Sequence, residues 1–239
     1  MLRAVLRRTC EFACVISLAT CVWAQGARTM ETARGARAPT YVVAPGDATA
    51  PRPVTVYLHG LWGDPRPGCS YFRHYVTDRS WLVCPTAPGR LPGGGAAWIG
   101  PLTSRLAAVA RARAAAAAVA PASIDRSAPG VLIGFSQGAY EAWSQARARP
   151  GRWRGVAFIG AHIRVRRAEL DAAGVRRAVF AAGRFDGTWR TLRDTARQLR
   201  AEGFDARFVD LGERGHGFAA RPEARESWRE ALAWLEAAE

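Results

Sequence analysis

The stretch Val131-Leu132-Ile133-Gly134-Phe135-Ser136-Gln137-Gly138 decides the fold of this chain. Its apolar start predicts a buried strand, and the residues after Gly138 have the composition of a helix. The pattern Gly-x-Ser-x-Gly between them is typical of a sharp turn that lifts a serine above a sheet. We therefore expect Ser136 to be exposed at the amino end of a helix. A glycine-rich loop with an incidental serine is the alternative interpretation.

A serine hydroxyl is a weak nucleophile unless a base takes its proton and an acid orients that base. The histidines downstream of Ser136 are His162 and His216. His216 lies in a glycine-flanked loop near the carboxyl end of the chain, and we prefer it as the base. Asp186 directly follows an expected strand and is the preferred acid, with Asp210 as its competitor. The sequence thus predicts a triad of Ser136, Asp186 and His216.

A glycine-containing loop follows the apolar run at residues 54–58 and reads His59-Gly60-Leu61-Trp62-Gly63-Asp64. Such a loop can aim backbone amides at the oxyanion that forms during acyl transfer. We expect the oxyanion donors to be the amides of Gln137 and Leu61. His59 precedes a glycine at a strand end, so we expect it to brace the loop rather than transfer protons.

Strand-like and helix-like segments alternate along the rest of the chain. Strands are expected at residues 40–43, 54–58, 81–83, 131–135, 156–159, 178–182 and 206–209, and helices at 102–119, 139–147, 188–202 and 222–238. This alternation predicts an α/β fold with a mostly parallel central sheet, helices on both faces and no large lid domain. We expect the segments at 65–79, 85–100 and 162–175 to be loops that shape the substrate pocket.

The composition fits one compact domain, with 239 residues of which 49% are hydrophobic. The formal net charge is +14, and all 34 basic residues are arginine. These arginines are scattered along the chain rather than massed in one block, so the charge does not indicate a nucleic-acid partner.

The first 24 residues resemble an export signal. Arg3, Arg7 and Arg8 precede an apolar run at residues 12–24, which is shorter than the roughly 20 residues that span a bilayer. We therefore expect a signal peptide at 1–24, a flexible linker at 25–39, a hydrolase domain at 40–239, and a secreted or periplasmic protein without stable membrane insertion. A lipoprotein anchored at Cys21 is the minority alternative.

Removal of that leader would leave Cys69 and Cys84 as the cysteines of the mature chain. An even number of cysteines in an exported protein favours a disulfide. We expect Cys69 and Cys84 to be bonded, and two separate buried thiols are the alternative. No group of His, Cys or carboxylate residues has the spacing of a metal site, so no metal or organic cofactor is expected.

From about Thr40 onward, these motifs together resemble the α/β-hydrolase superfamily, in its branch of carboxylesterases, lysophospholipases and acyl-protein thioesterases. Residues 59–64 look like the His-Gly-Leu-Gly-Asp motif of that branch with one residue inserted, and residues 134–138 match its nucleophile turn. Residues 84–88 through Trp98 are similar to its loop after the next strand. Residues 215–218 look more weakly like the histidine loop of dienelactone hydrolases, which normally use a cysteine nucleophile.

The resemblance implies the same triad of Ser136, Asp186 and His216. The inserted Trp62 leaves open whether Leu61 or Trp62 donates the second oxyanion amide. Trp62 and Trp98 are expected to bind substrate as an apolar wall.

The resulting hypothesis is an exported serine hydrolase that cleaves a small-molecule or polymeric carboxylic ester with a small or medium acyl chain. A polyester or feruloyl-type esterase and a peptidase are alternatives on the same fold. A non-catalytic protein that binds envelope polymers or lipids is the alternative from another class.

Overall fold

A central sheet of eight strands organises the protein in this computed structural model, which describes residues 30–32, 39–46, 50–120 and 122–237. In chain order the strands are β1 (Met30–Thr32), β2 (Thr40–Val43), β3 (Val54–Leu58), β4 (Trp81–Pro85), β7 (Gly130–Phe135), β8 (Trp153–Ile159), β9 (Arg177–Ala182) and β10 (Asp205–Asp210), with β5 (Gly89–Arg90) and β6 (Ala96–Ala97) as a separate hairpin. The sheet order is β1-β2-β4-β3-β7-β8-β9-β10. The six neighbouring strands β4, β3, β7, β8, β9 and β10 are parallel to one another. Strand β2 is antiparallel to β4, and β1 is antiparallel to β2.

Helices cover both faces of this sheet. They are α1 (Pro65–Val76), α2 (Leu102–Val119), α3 (Gln137–Ala148), α4 (Arg167–Ala172), α5 (Trp189–Ala201) and α6 (Arg225–Glu236), and a 3₁₀ turn at Pro222–Ala224 precedes α6. Successive residues of β7 serve opposite faces, because side chains alternate along a strand. Leu132 packs with the core under α2, α3, α4 and α5, whereas Val131 and Ile133 pack with the core under α1 and α6. The expected α/β architecture is therefore present, and no large separate lid is evident in the described part of the chain.

The expectation of a loop at residues 65–79 was wrong, because this segment contains helix α1. The Asp64 side chain caps the helix by accepting a hydrogen bond from the backbone N–H of Arg66 at 2.8 Å, and Pro65 occupies its first turn. The buried residues of α1 have helical spacing at 65, 68, 69, 72, 75 and 76. Pro67 and Gly68 concealed this pattern by giving the segment the composition of a loop.

The two other expected loops also contain regular structure. Residues 85–100 include the β5–β6 hairpin, and residues 162–175 include the short helix α4. Strand β1 lies within the segment expected to be a linker. The expected signal peptide and the alternative anchor at Cys21 lie outside the described residues, and none of the described helices is long and apolar enough to cross a membrane.

Cys69 and Cys84 form the expected disulfide, with their α-carbons 5.9 Å apart. The bond joins α1 to β4, and both cysteines are fully buried. It therefore fixes α1 to the sheet in the same core that supports the candidate site described next.

Candidate active site

Ser136 occupies a strained turn between β7 and α3. Its backbone has φ 54° and ψ −119°, a conformation that non-glycine residues rarely adopt. The two flanking glycines are required by close contact. A Cβ on Gly138 would lie 2.0 Å from the carbonyl oxygen of Leu58, and one on Gly134 would lie 2.3 Å from the carbonyl oxygen of Gly138. The sharp turn expected from Gly-x-Ser-x-Gly is thus present, with Ser136 at the amino end of α3.

His216 and Asp186 are joined by a hydrogen bond. The Nδ1 of His216 lies 2.8 Å from Oδ2 of Asp186. The other carboxylate oxygen of Asp186 accepts hydrogen bonds from the backbone N–H and the hydroxyl of Thr188, both at 2.9 Å. Burial of Asp186 opposes ionisation, but the hydrogen bonds from Thr188 and His216 outweigh it and lower the pKa of this carboxyl. Asp186 is therefore a fixed carboxylate that can hold the imidazole of His216.

The ring of His216 lies beside the serine turn. Its centroid is 4.9 Å from that of Phe135, the residue before Ser136. A Cβ on Gly160 would lie 3.1 Å from Cε1 of His216 and 3.3 Å from Oδ2 of Asp186, so the end of β8 contacts both residues. The hydroxyl of Ser136 makes no hydrogen bond with another described residue. In enzymes that use a serine and a histidine together, the hydrogen bond between them is often long or misaligned until substrate binds, so its absence here leaves Ser136 and His216 as candidates.

The competing residues have other partners. His162 is exposed, and its Nδ1 lies 3.2 Å from the hydroxyl of Thr191, so the structure gives it no carboxylate partner among the described residues. Asp210 accepts from the guanidinium of Arg184 at 3.1 Å. The structure thus brings together Ser136, Asp186 and His216, and leaves His162 and Asp210 in other interactions.

The loop after β3 lies against the serine turn. A Cβ on Gly60 would lie 3.3 Å from the Cβ of Ser136. The N–H of Gly63 donates to the carbonyl of Gly60 at 3.1 Å, which closes a turn with Leu61 and Trp62 at its centre. Within the described residues, the N–H groups of Leu61 and Trp62 have no acceptor.

Gln137 contributes a backbone amide from the other side of Ser136. As the first residue of α3, its N–H has no partner within the helix. A helix amino terminus also stabilises negative charge near it. The N–H groups of Gln137 and of Leu61 or Trp62 thus lie on the two segments that contact Ser136.

His59 braces this loop from inside. It is 1% exposed, and its Nε2 accepts a hydrogen bond from the N–H of Ala87 at 2.9 Å. The proton must then lie on Nδ1, which donates to the carbonyl of Gly60 at 2.7 Å. Burial lowers the pKa of His59, which keeps the ring neutral in this role. The expectation that His59 supports the loop therefore agrees with its contacts.

The two expected wall residues differ in position. Trp98 is 5% exposed, its indole N–H donates to the carbonyl of His59 at 3.0 Å, and its backbone N–H donates to the side-chain oxygen of Gln137 at 2.8 Å. Trp98 thus supports the site from the core. Trp62 is 54% exposed and lies over Gly93 and Gly95, so its ring remains accessible to a ligand.

The aromatic anchor of the histidine loop was not anticipated from the sequence. Phe218, two residues after His216, packs its ring against Tyr57, Tyr71, Phe72 and Phe135, with centroids 5.2 to 6.0 Å apart. The hydroxyl of Tyr71 also accepts from the N–H of Ala220 at 2.8 Å. These contacts tie the loop to α1, and the missed helix explains why the sequence did not indicate them.

Two cavities lie away from Ser136. Their volumes are about 330 and 280 Å³, one lined by Arg154, Arg177 and Leu235 and the other between β10 and α6. The described residues contain no group of three or more His, Cys, Asp or Glu placed to hold a metal ion. Neither of the two cavities is lined by Ser136, Asp186 or His216. The candidate site is therefore identified by these three residues and not by a cavity.

The fold is shared with several solved hydrolases. A carboxylesterase from Bacillus cereus is 18% identical, with a TM-score of 0.59 over 84% of this chain and 96% of that one. An acyl-protein thioesterase 2 from Zea mays is 20% identical, with a TM-score of 0.56 over 83% and 99% of the two chains. A fluorophosphonate-binding serine hydrolase F from Staphylococcus aureus is 13% identical, with a TM-score of 0.61 over 88% and 97%. No family model and no curated protein matches the sequence. The chain has the α/β-hydrolase fold.

Proposed function

We propose that this protein is a serine hydrolase that cleaves a carboxylic ester with a small or medium acyl chain. The observation that carries the proposal is the hydrogen bond of 2.8 Å between His216 and Asp186 beside the strained turn of Ser136. The names of the similar structures, among them a carboxylesterase and a serine hydrolase, support the same reaction class.

The proposed reaction begins when Oγ of Ser136 attacks the acyl carbon while Nε2 of His216 takes the hydroxyl proton. The carbonyl oxygen becomes an oxyanion that accepts hydrogen bonds from the amides of Gln137 and of Leu61 or Trp62. The ester bond then breaks, and the leaving alcohol takes the proton from His216.

Water completes the cycle. His216 removes a proton from water, whose oxygen attacks the acyl carbon of the acyl-enzyme. The bond from that carbon to Oγ of Ser136 then breaks, His216 returns the proton to Oγ, and the carboxylic acid is released. Asp186 keeps the imidazole oriented and stabilises its positive charge in both steps. Its lowered pKa serves this role, because the carboxyl stays ionised at neutral pH.

We also propose that the protein works outside the cytoplasm after a signal peptide at residues 1–24 is removed. The disulfide between Cys69 and Cys84 supports an oxidising compartment. Sequencing of the amino terminus from the native host tests this. A terminus near residue 25 is expected, a lipid-modified Cys21 would favour the anchored form, and a terminus at Met1 would contradict export.

The activity test uses p-nitrophenyl esters of graded acyl length. Alanine at Ser136 or His216 is expected to lower kcat/KM by at least about a thousandfold, and Asp186→Ala by somewhat less. His162→Ala is the matched control, because His162 has no carboxylate partner among the described residues and should leave turnover nearly unchanged. Turnover that survives in Ser136→Ala, or the absence of turnover on every ester, would contradict the proposal.

A further inference from the structure

The large hydrophobic side chains that remain exposed lie in segments at one edge of the sheet. Among the described residues there are six, and each is 41% to 69% exposed. They are Leu61, Trp62, Ile99, Leu102, Tyr140 and Phe185, which together we name the apolar rim. Exposed apolar side chains that occur singly need no explanation, whereas a contiguous group marks an interaction site.

The topology places the apolar rim around Ser136. The segments that carry it follow the carboxyl ends of β3, β4, β7 and β9, which are parallel strands of one sheet and therefore end at the same edge. Phe185 directly precedes Asp186, and Tyr140 lies in the first turn of α3, after Ser136. The hydroxyl of Tyr140 accepts from the N–H of His162 at 3.0 Å, which ties in the loop after β8.

The same edge carries uncompensated positive charge. Arg90, Arg164 and Arg190 are exposed in segments that follow β4, β8 and β9, and none forms an ion pair with another described residue. Most acidic side chains of this edge have other partners: Asp186 binds His216, Asp210 and Glu213 pair with Arg184, Glu169 pairs with Arg166, and Asp64 caps α1. Glu223, beside Gly212 after β10, is exposed and has no ion pair among the described residues. The edge that carries the site therefore combines exposed apolar side chains with three arginines that have no ion pair among the described residues; the guanidinium of Arg90 donates a hydrogen bond to the carbonyl of Gly94 at 3.3 Å.

We propose that the apolar rim docks on the surface of an anionic lipid layer and that the ester substrate is drawn from that layer. This inference rests on the proposed esterase function. Apolar and aromatic side chains enter the boundary between headgroups and acyl chains, while arginines attract anionic headgroups. The three arginines favour a lipid surface over an uncharged hydrophobic polymer, because only the former offers charges of opposite sign.

Docking in this orientation would place an acyl carbonyl near Ser136. Trp62 and Leu61 lie on the loop that contacts Ser136. Tyr140 follows Ser136 in the first turn of α3, and Phe185 directly precedes Asp186. A lipid surface held by the apolar rim thus meets the loops that carry the proposed oxyanion donors. The enzyme would act on esters of amphiphiles more readily than on the same esters in solution.

The test measures sedimentation of the full chain with vesicles of phosphatidylcholine alone or mixed with phosphatidylglycerol. Every variant also carries Ser136→Ala, so binding is read without turnover. The rim charge variant is Arg90→Gln, Arg164→Gln and Arg190→Gln. The matched control is Arg126→Gln, Arg149→Gln and Arg176→Gln, three exposed arginines that precede β7, β8 and β9 at the opposite edge.

We expect anionic vesicles to bind the parent chain at least about tenfold more tightly than neutral vesicles. The rim charge variant should lose at least about tenfold of that affinity, and the control, with the same net charge, should retain most of it. A second variant, Leu102→Ser with Phe185→Ser, should weaken binding to the anionic vesicles without lowering the unfolding temperature. All chains keep residues 12–24, so differences between variants report the rim rather than that apolar run.

If the rim charge variant and the control variant lose equal affinity for anionic vesicles, the proposal is overturned, because net charge alone would then explain binding. Rim variants that bind as tightly as the parent, or preferential capture on an uncharged polyester film, would also overturn it. Hydrolysis of dissolved p-nitrophenyl esters by the chain with Ser136 intact separates the two claims. Turnover without rim-dependent binding contradicts docking alone, and rim-dependent binding without turnover contradicts the esterase proposal alone.

Discussion

Trp62 and Ser136 are the only non-glycine residues in the described part of the chain with a positive φ, at 59° and 54°. Both lie in segments that meet at the candidate site, one in the loop after β3 and one in the turn after β7. Left-handed backbone costs a non-glycine residue about 1 kcal/mol or more, and such strain is concentrated at functional sites. The ring of Trp62 against Gly93 and Gly95 holds the first of these conformations in place.

This strain predicts an unusual order of stability among variants. Glycine adopts positive φ without penalty, so Ser136→Gly should be more stable than Ser136→Ala by about 1 kcal/mol. For the same reason Trp62→Gly should be more stable than Trp62→Ala. Denaturant unfolding measures both differences. The control is Ser144 within α3, where the order should reverse because alanine favours a helix over glycine. An alanine variant more stable than the glycine variant at Ser136 would contradict the strained turn.

Phe218 is expected to position His216. Phe218→Ala removes the ring that contacts α1 and β7 and should cost about 2 kcal/mol of stability and at least about tenfold in kcat. Phe208→Ala is a matched truncation, because Phe208 is also partly buried and its ring packs against Trp189, whereas the described ring contacts of Phe135 and His216 do not include it. It should lose stability with little change in kcat. An equal effect of the two variants on kcat at a temperature where both are folded would argue against a positioning role.

The stability of the protein should fall as pH rises because of Glu236. Burial raises the pKa of this carboxyl from its ordinary 4.5 to about 7, although Ser80 and Thr55 donate hydrogen bonds to Oε1 and Arg79 and Arg154 lie nearby. A raised pKa means that folding favours the protonated form. The stabilisation that this raised pKa gives the folded state is complete below pH 4.5 and is lost as the pH rises through 7. The free energy of unfolding should fall by roughly 3 kcal/mol over that range.

Glu236→Gln tests this dependence, because an amide keeps the shape without the charge. The free energy of unfolding of the variant should vary less between about pH 5 and 8 than that of the parent, and should exceed it at the upper end. Glu230→Gln, at an exposed position of the same helix, should leave the pH profile unchanged. A parent that becomes more stable on raising the pH over this range, with no difference in Glu236→Gln, would contradict the account.

The disulfide should stabilise the fold that carries the site. Its ends are 15 residues apart, and closing a loop of that length is worth about 3 kcal/mol. Replacing both Cys69 and Cys84 by serine should therefore lower the Tm by roughly 6 to 12 °C, and reductant should affect only the parent. Intact mass after alkylation checks the bond itself, and labelling of both residues without prior reduction would show that it is absent.

The sequence was most informative where one local rule governs a position. The apolar run before Gly134 predicted β7, and the turn pattern predicted a serine at the start of α3, although Ser136 is half-buried there rather than exposed. It was least informative at residues 65–79, where Pro67 and Gly68 suggested a loop. There the cap of Asp64 and the spacing of Cys69, Phe72 and Val76 were the signals that indicate a helix.

Contacts between distant segments could not be predicted from local patterns. Asp186 was preferred because it follows an expected strand, but Asp210 follows the next one, and both lie between Ser136 and His216 in the chain. Only the contacts of the folded chain show that Asp210 pairs with Arg184 while Asp186 meets His216. The burial of Trp98 likewise depends on contacts with segments distant in the chain. An aromatic residue beside a glycine-rich loop fits an exposed wall or a core equally well until its neighbours are known.

The central claim is that His216 and Asp186 activate Ser136 as a nucleophile. Its most direct test is the intact mass of the protein after treatment with a fluorophosphonate, followed by mapping of the labelled peptide. The account predicts one adduct, on Ser136, formed by the parent chain, lost in Ser136→Ala and strongly slowed in His216→Ala. A parent chain that remains unlabelled, or an adduct on another residue that persists in Ser136→Ala, would contradict it.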